Sequence, residues 1–296
     1  MDQHPQPVIF SPSHCQLGES PCWHPERESL FWLDILARKL YEKAPGQAER
    51  NWDLPATASR VILDGCSTNA LYLVTDQGLA LFRPDTGHFQ LLIPIALDEG
   101  YRTNDGGVDR QGNLVFGTMK WHPEPGCGKI FRITPQGNVA EIAAGIAIPN
   151  TFVWNREGNL LYLADSLQQK IYRFQYDANT PLGTPDIFLT LTQSSATPDG
   201  AAIDSDEILW NAQWDGFRVR AYSPEGSFEK EIALPVPRPT SCCFGGPGFR
   251  QLFITSAWDG LTTEERDKYS LSGCTFCIEC DAAGELARPF TLLDTP

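Results

Sequence analysis

Six leucine-led apolar runs recur along this chain at a nearly constant interval, and no other feature narrows the choice of fold as far. The runs are Leu30-Phe31-Trp32, Leu71-Tyr72-Leu73, Leu114-Val115-Phe116, Leu161-Tyr162-Leu163, Leu209-Trp210 and Leu252-Phe253-Ile254, with leading leucines 41, 43, 47, 48 and 43 residues apart. Turn residues such as Gly112-Asn113 and Gly158-Asn159 precede several of them, so each reads as a strand. A second strand follows each run, at Lys39-Leu40-Tyr41, Leu79-Ala80-Leu81-Phe82, 129–133, 170–174, Arg218-Val219-Arg220 and 275–278. In three units this strand begins its apolar core 10 residues after the leading leucine, the spacing of a hairpin. No long segment carries a helical period. A period of some 40–50 residues holding about four short strands is the signature of a propeller blade. The expected fold is therefore all-β, a six-bladed β-propeller forming one domain over residues 1–296, with Val8-Ile9-Phe10 completing the last blade. A β-sandwich or an irregular barrel gives no reason for six similar spacings.

Charge narrows the partners. Against 37 acidic residues stand 23 basic ones, a formal charge of −14, while 42% hydrophobic and 20% charged residues are ordinary for a folded chain. An acidic surface repels phosphate backbones and anionic headgroups, so neither nucleic acid nor membrane is expected as a partner. No run approaches the roughly 20 apolar residues that span a bilayer, and Met1-Asp2-Gln3-His4-Pro5 lacks the basic and apolar regions of a secretory signal. A cytoplasmic location is expected. The nine cysteines, an odd number with Cys242 and Cys243 adjacent, read as reduced thiols. Cys274, Cys277 and Cys280 lie on a repeat strand where residues three apart face opposite sides, and they read as structural.

In a propeller the innermost strand of each blade lines the axis, so residues at one repeat phase converge there. Ten or eleven residues before four of the leading leucines stand Glu19, Asn104, Asn150 and Asp199. Their surroundings look alike: Gly18-Glu19-Ser20-Pro21, Thr103-Asn104-Asp105-Gly106, Pro149-Asn150-Thr151 and Pro198-Asp199-Gly200. Turns favour Asn, Asp and Gly at any single position, but four at one phase point to a common oxygen site. Such a set suits one divalent metal ion: Ca²⁺, Mg²⁺ or Mn²⁺, with Zn²⁺ or Fe²⁺ also compatible. Two carboxylates packed together without a cation would repel. Arg102, two residues before Asn104, points to the same side of an extended strand, and Asp105 points to the other. Arg102 either binds an oxygen-rich ligand there or pairs with an acid at the surface. The long connections 114–130 and 252–276 are expected to frame one mouth, with Trp121 and Trp258 on them as candidate stacking platforms for a ligand.

At these residues the sequence resembles the SMP-30/gluconolactonase/LRE family, which includes regucalcin and sugar lactonases. The resemblance rests on 17–23, Arg102-Thr103-Asn104-Asp105-Gly106, Phe116-Gly117-Thr118-Met119, Pro149-Asn150, Pro198-Asp199-Gly200 and 241–246, in family order over nearly the whole chain. It implies a catalytic divalent ion held by Glu19, Asn150 and Asp199, substrate contacts from Arg102 and Asn104, and Asp199 as general acid/base. The implied activity is hydrolysis of a small-molecule sugar lactone to its aldonic acid. Three residues past the Gly-Thr-Met motif some relatives carry a glutamate that touches the sugar; this chain has His122, a candidate substrate contact or an exposed loop residue. Two other readings remain: a divalent-cation-binding or interaction propeller without turnover, and a hydrolase of nonsugar lactones or organophosphates. No Gly-x-Ser-x-Gly elbow, phosphate-binding glycine loop or His-Glu-x-x-His pair is present.

Overall fold

The leucine-led runs form the second strand of each of six four-stranded antiparallel sheets in the computed structural model, which describes residues 6–191 and 195–293. Leu30, Phe31, Trp32 and Leu33 are all fully buried, because a propeller blade is covered on both faces by its neighbours. Hence these strands are apolar without alternation. Phe31 and Leu33 pack against Val61 and Leu73 between blades one and two. Trp210 and Ala212 meet Phe244 and Ile254 between blades five and six. Each large side chain buried in this way contributes about 1.5–3 kcal/mol.

The inner strands, one per blade, are Gly18–His24, Ala58–Leu63, Tyr101–Val108, Pro149–Trp154, Thr197–Ile203 and Pro239–Gly245. Every one of them holds one more residue than its partner strand over the same stretch, between Glu19 and Cys22, Ala58 and Arg60, Thr103 and Gly106, Asn150 and Val153, Pro198 and Ala201, and Pro239 and Ser241. A β-bulge of this kind bends the strand and re-aims the adjacent side chains. It also frees polar groups to link one blade to the next. The Val61 amide donates to Ser20 Oγ at 2.8 Å, Ser59 Oγ donates to Thr103 Oγ1 at 2.8 Å, and Asn104 Nδ2 donates to Asn150 Oδ1 at 3.0 Å. Thr151 Oγ1 donates to the Asp199 carbonyl and Thr240 Oγ1 to the Gly18 carbonyl. Between blades five and six the junction is a close approach: a Cβ at Gly200 would lie 2.1 Å from Ser241 Oγ.

Ring closure follows the expectation for Val8-Ile9-Phe10. Val8, Ile9 and Ser11 pair with Cys277, Phe276 and Thr275, so the N-terminal strand completes the blade built from the last three strands. The two long connections leave the same end of the ring. Tyr101 pairs with Lys120, and Pro239 with Ser256, so loops 121–127 and 257–274 both rise where the inner strands begin. The second loop carries the short helix Thr263–Lys268, started by a reciprocal cap between Thr262 and Glu265. Among the described residues no helix is long and apolar enough to cross a membrane. All nine cysteines are free. Cys274 and Cys277 join different apolar clusters, as residues on opposite faces of a blade must.

Candidate functional site

The bulges place the candidate residues near the start of four inner strands, at the mouth framed by the long loops. Ser20 and Thr151, which follow Glu19 and Asn150, take φ of 53° and 60°, a left-handed conformation costly for a non-glycine residue. The interblade hydrogen bonds of both hydroxyls hold it in place.

From blade three, Arg102 Nη1 donates to Asn104 Oδ1 at 2.7 Å and to the Thr103 carbonyl at 2.9 Å. Asn104 Nδ2 then donates to Asn150 Oδ1 and to the Pro149 carbonyl, each at 3.0 Å. Asn150 Nδ2 donates to Ser166 Oγ at 2.9 Å, and Ser166 Oγ donates to the Pro198 carbonyl at 2.6 Å. With its nitrogen committed to Ser166, the Asn150 amide presents its oxygen towards Asn104, and that oxygen keeps a second lone pair. Ser166 is a residue that repeat phase does not reveal, since it lies just past the second strand of its blade.

Glu19 and Asp199 form the acidic part. Burial holds both carboxyls well above the usual carboxylate range; repulsion from Asp105 adds to it at Glu19, and repulsion from Glu19 and then from Asp105 adds to it at Asp199. The Ser20 amide, donating to Glu19 Oε2 at 2.8 Å, and the Gly200 amide at Asp199 only partly offset this. Burial pulls the Arg102 guanidinium down to about 10, while Glu19, Asp199 and Asp259 act against that shift. The group therefore stays cationic at neutral pH. Arg102 also lies over the Trp121 ring at 5.3 Å, and its Nε is buried without a hydrogen-bond partner.

Asp105 departs from the alternation expected of a regular strand. Its Oδ1 meets Arg60 Nη1 at 3.0 Å and accepts the Gly106 amide at 2.8 Å, and its charge adds to the repulsion on Glu19 and Asp199. The extra residue between Thr103 and Gly106 breaks the two-residue period, so Asp105 sits beside the acidic pair. Arg102 accordingly bonds Asn104 rather than Asp105. His122 is exposed on loop 121–127, beside the half-exposed Trp121. Trp258 on the other loop carries Arg266 over one face at 3.9 Å.

The residues fit a divalent ion in kind: two carboxylates that cannot both ionise cheaply without a cation, and an amide oxygen oriented by Ser166. Among the described residues no three His, Cys, Asp or Glu side chains gather as a metal-ready group. The third donor of the candidate set is the Asn150 amide, which such a grouping does not include.

Below the acidic ring the channel continues as a cavity of 120 Å³ lined by inner-strand residues such as Cys22, Arg60, Trp154 and Cys243, and bordered by 285–288.

A six-bladed ring of antiparallel sheets with an acidic, amide-bearing site at one mouth of its channel defines the class of this protein. The family model for the SMP-30/Gluconolactonase/LRE-like region matches residues 17–258, and the chain belongs to that family. It is 31% identical to a 6-deoxy-6-sulfogluconolactonase of Pseudomonas putida, over 94% of this chain and 95% of that one. It is 29% identical to an L-arabinolactonase of Azospirillum brasilense, over 97% of each. Among solved structures, the calcium-binding protein regucalcin from Agrobacterium tumefaciens superposes with a TM-score of 0.91 at 27% identity, covering 98% of both chains.

Proposed function

We propose that this chain, acting as one propeller domain, is a hydrolase that opens a sugar lactone to the corresponding aldonic acid with the help of one divalent metal ion. The observation that carries this reading is the unbroken series Arg102, Asn104, Asn150 at the mouth of the channel, ending beside the repelling pair Glu19 and Asp199. A pure cation binder needs the acids and Asn150 but gains nothing from a buried guanidinium and a carboxamide held in register beside them. The lactonase names of the relatives support the reaction class, and the calcium-binding neighbour supports the ion.

Glu19, Asn150 and Asp199 would hold the ion. When bound, it supplies Lewis-acid polarisation of the lactone carbonyl. Arg102 and Asn104 orient substrate oxygens, which raises the rate by fixing the reacting geometry before attack. Asp199 takes a proton from the attacking water as the C–O bond forms, then returns it to the ring oxygen as the ester C–O bond breaks. Water adds across the ester and the product is a hydroxy acid. A carboxylate within reach of both the attacking water and the ring oxygen suits that exchange. His122 and Trp121, on the loop beside Arg102, would meet the outer part of the sugar.

A pH-indicator screen of aldonolactones tests the proposal. Turnover is expected to disappear in EDTA and return with Ca²⁺, Mn²⁺, Mg²⁺ or Zn²⁺; full turnover in chelator would remove the ion from the mechanism, and no turnover of any lactone would remove the activity.

A further inference from the structure

We infer that Arg60 sets the charge of the ion site by pairing with Asp105, and so keeps a third carboxylate from acting on the ion. This rests on the ion-binding reading above. Arg60 comes from blade two, whose inner strand offers neither acid nor amide at the site phase. Its Nη1 lies 3.0 Å from Asp105 Oδ1, and the two side chains are only 17% and 9% exposed. Arg60 Nε is buried with no hydrogen-bond partner. A guanidinium that gives up a donor to burial is costly, and it is held there by the charge it faces. The surrounding wall explains why that charge is needed. Arg60 lines the cavity beneath the ring together with apolar residues and thiols such as Cys22, Trp154, Ala201 and Cys243, and the other cation of that lining, Arg288, lies 3.9 Å from its own acid, Glu285. Asp105 in turn lies near enough to repel both Glu19 and Asp199.

With the pair intact, an ion meets the two negative charges of Glu19 and Asp199 and the positive charge of Arg102. Removing the Arg60 charge adds an uncompensated negative group. Removing the Asp105 charge adds an uncompensated positive one. Inside a channel that screens poorly, each change acts on a doubly charged ion with opposite sign. A merely structural pair would not behave so, because breaking it from either side would disturb the site in the same direction.

The experiment is calorimetric titration of chelator-stripped protein with Ca²⁺ and with Mn²⁺, without substrate, on wild type, Arg60→Gln, Asp105→Asn, the double variant and Arg60→Lys. Arg60→Gln is expected to tighten binding about tenfold and Asp105→Asn to weaken it about tenfold. The double variant and Arg60→Lys should stay near wild type. Shifts of one sign in both single variants, or no shift in either, overturn the inference. Should Arg60→Gln fail to fold, weakened binding in Asp105→Asn with unchanged binding in Arg60→Lys supports it, and unchanged binding in Asp105→Asn overturns it. A wild type that takes up neither ion sinks the ion-binding reading first, and this inference with it, before any variant is compared.

Discussion

At the residue scale, Asp199 is asked to do more than any other side chain, and its surroundings make its substitution informative. Its carboxyl is pushed up by burial and by Glu19 and Asp105, so Asp199→Asn removes a repulsive charge while the backbone stays tied through Thr151 and Asn211 to its carbonyl. We expect lactone turnover to fall about 10²–10⁴-fold, the range of a general acid/base, with a thermal midpoint in EDTA equal to or above wild type. Wild-type turnover would deny Asp199 a catalytic part. The same acids predict a pH effect. A carboxyl with a raised folded-state pKa binds its proton more tightly in the native state, so the stabilisation is complete below the ordinary carboxylate range and is lost as pH rises through the raised values. The ion-free protein should therefore melt lower at pH 8 than at pH 5, and a bound divalent ion should flatten that slope. Equal slopes with and without ion would contradict the picture of two uncompensated acids. Glu19, Asn104, Asn150 and Asp199 could be found from repeat phase alone because each blade places that phase on the axis. Asp105 could not be oriented and Arg60 and Ser166 could not be found, since the first needs the bulge and the others stand where the shared pattern is silent.

At the scale of the element, the inner strands carry the function and the bulge is the device that lets them. A regular strand at these positions would send Asn104 and Asp105 to opposite faces; the extra residue brings both to bear on the channel. Neighbouring strands are fitted to the same purpose, as Gly117 shows. A Cβ there would lie 2.2 Å from Pro149 Cγ, and Pro149 supplies both the carbonyl that Asn104 Nδ2 bonds and the backbone leading into Asn150. Gly117→Ala should cost about 1–3 kcal/mol, as overpacking does, read as a lower denaturant midpoint. It should also reduce turnover by moving Asn150 relative to Asn104. Unchanged stability and unchanged turnover together would show that blade four has slack to yield. The second strand of each blade was legible because it is buried on both faces, and the third because it follows at hairpin distance with an apolar residue between charged ones, as at Arg218-Val219-Arg220. Outer strands such as Arg50–Asp53 and Phe228–Ala233 were not, being largely exposed and charged, so their composition resembles that of loops.

At the scale of the whole molecule, six sheets must close into a ring before four of them can present side chains to one point, and closure depends on the two ends of the chain meeting. The last blade has only three strands of its own near the C-terminal end; the fourth is Val8–Ser11. Phe10 extends the union to blade one, packing edge-on against Phe253 at 4.9 Å and Trp32 at 6.5 Å. On the channel side, Thr240 and the Gly18 carbonyl join the same two blades. Deleting residues 1–11 would strip Thr275–Glu279 of its partner and leave an apolar strand edge open, the arrangement that invites pairing with another chain. The truncated protein should melt well below the full chain and elute as aggregates in size exclusion. Phe10→Ala, which keeps the strand but removes the aromatic contact, should be destabilised by less than the 3–5 kcal/mol typical of a fully buried Phe because Phe10 is only partly buried. Lactonase activity should fall in step with the folded fraction in both variants, since Glu19 and Asp199 come from separate blades and have no common site once the ring opens. A truncated chain that stays monomeric, melts like wild type and turns over lactone would mean that the Thr240–Gly18 junction closes the ring unaided.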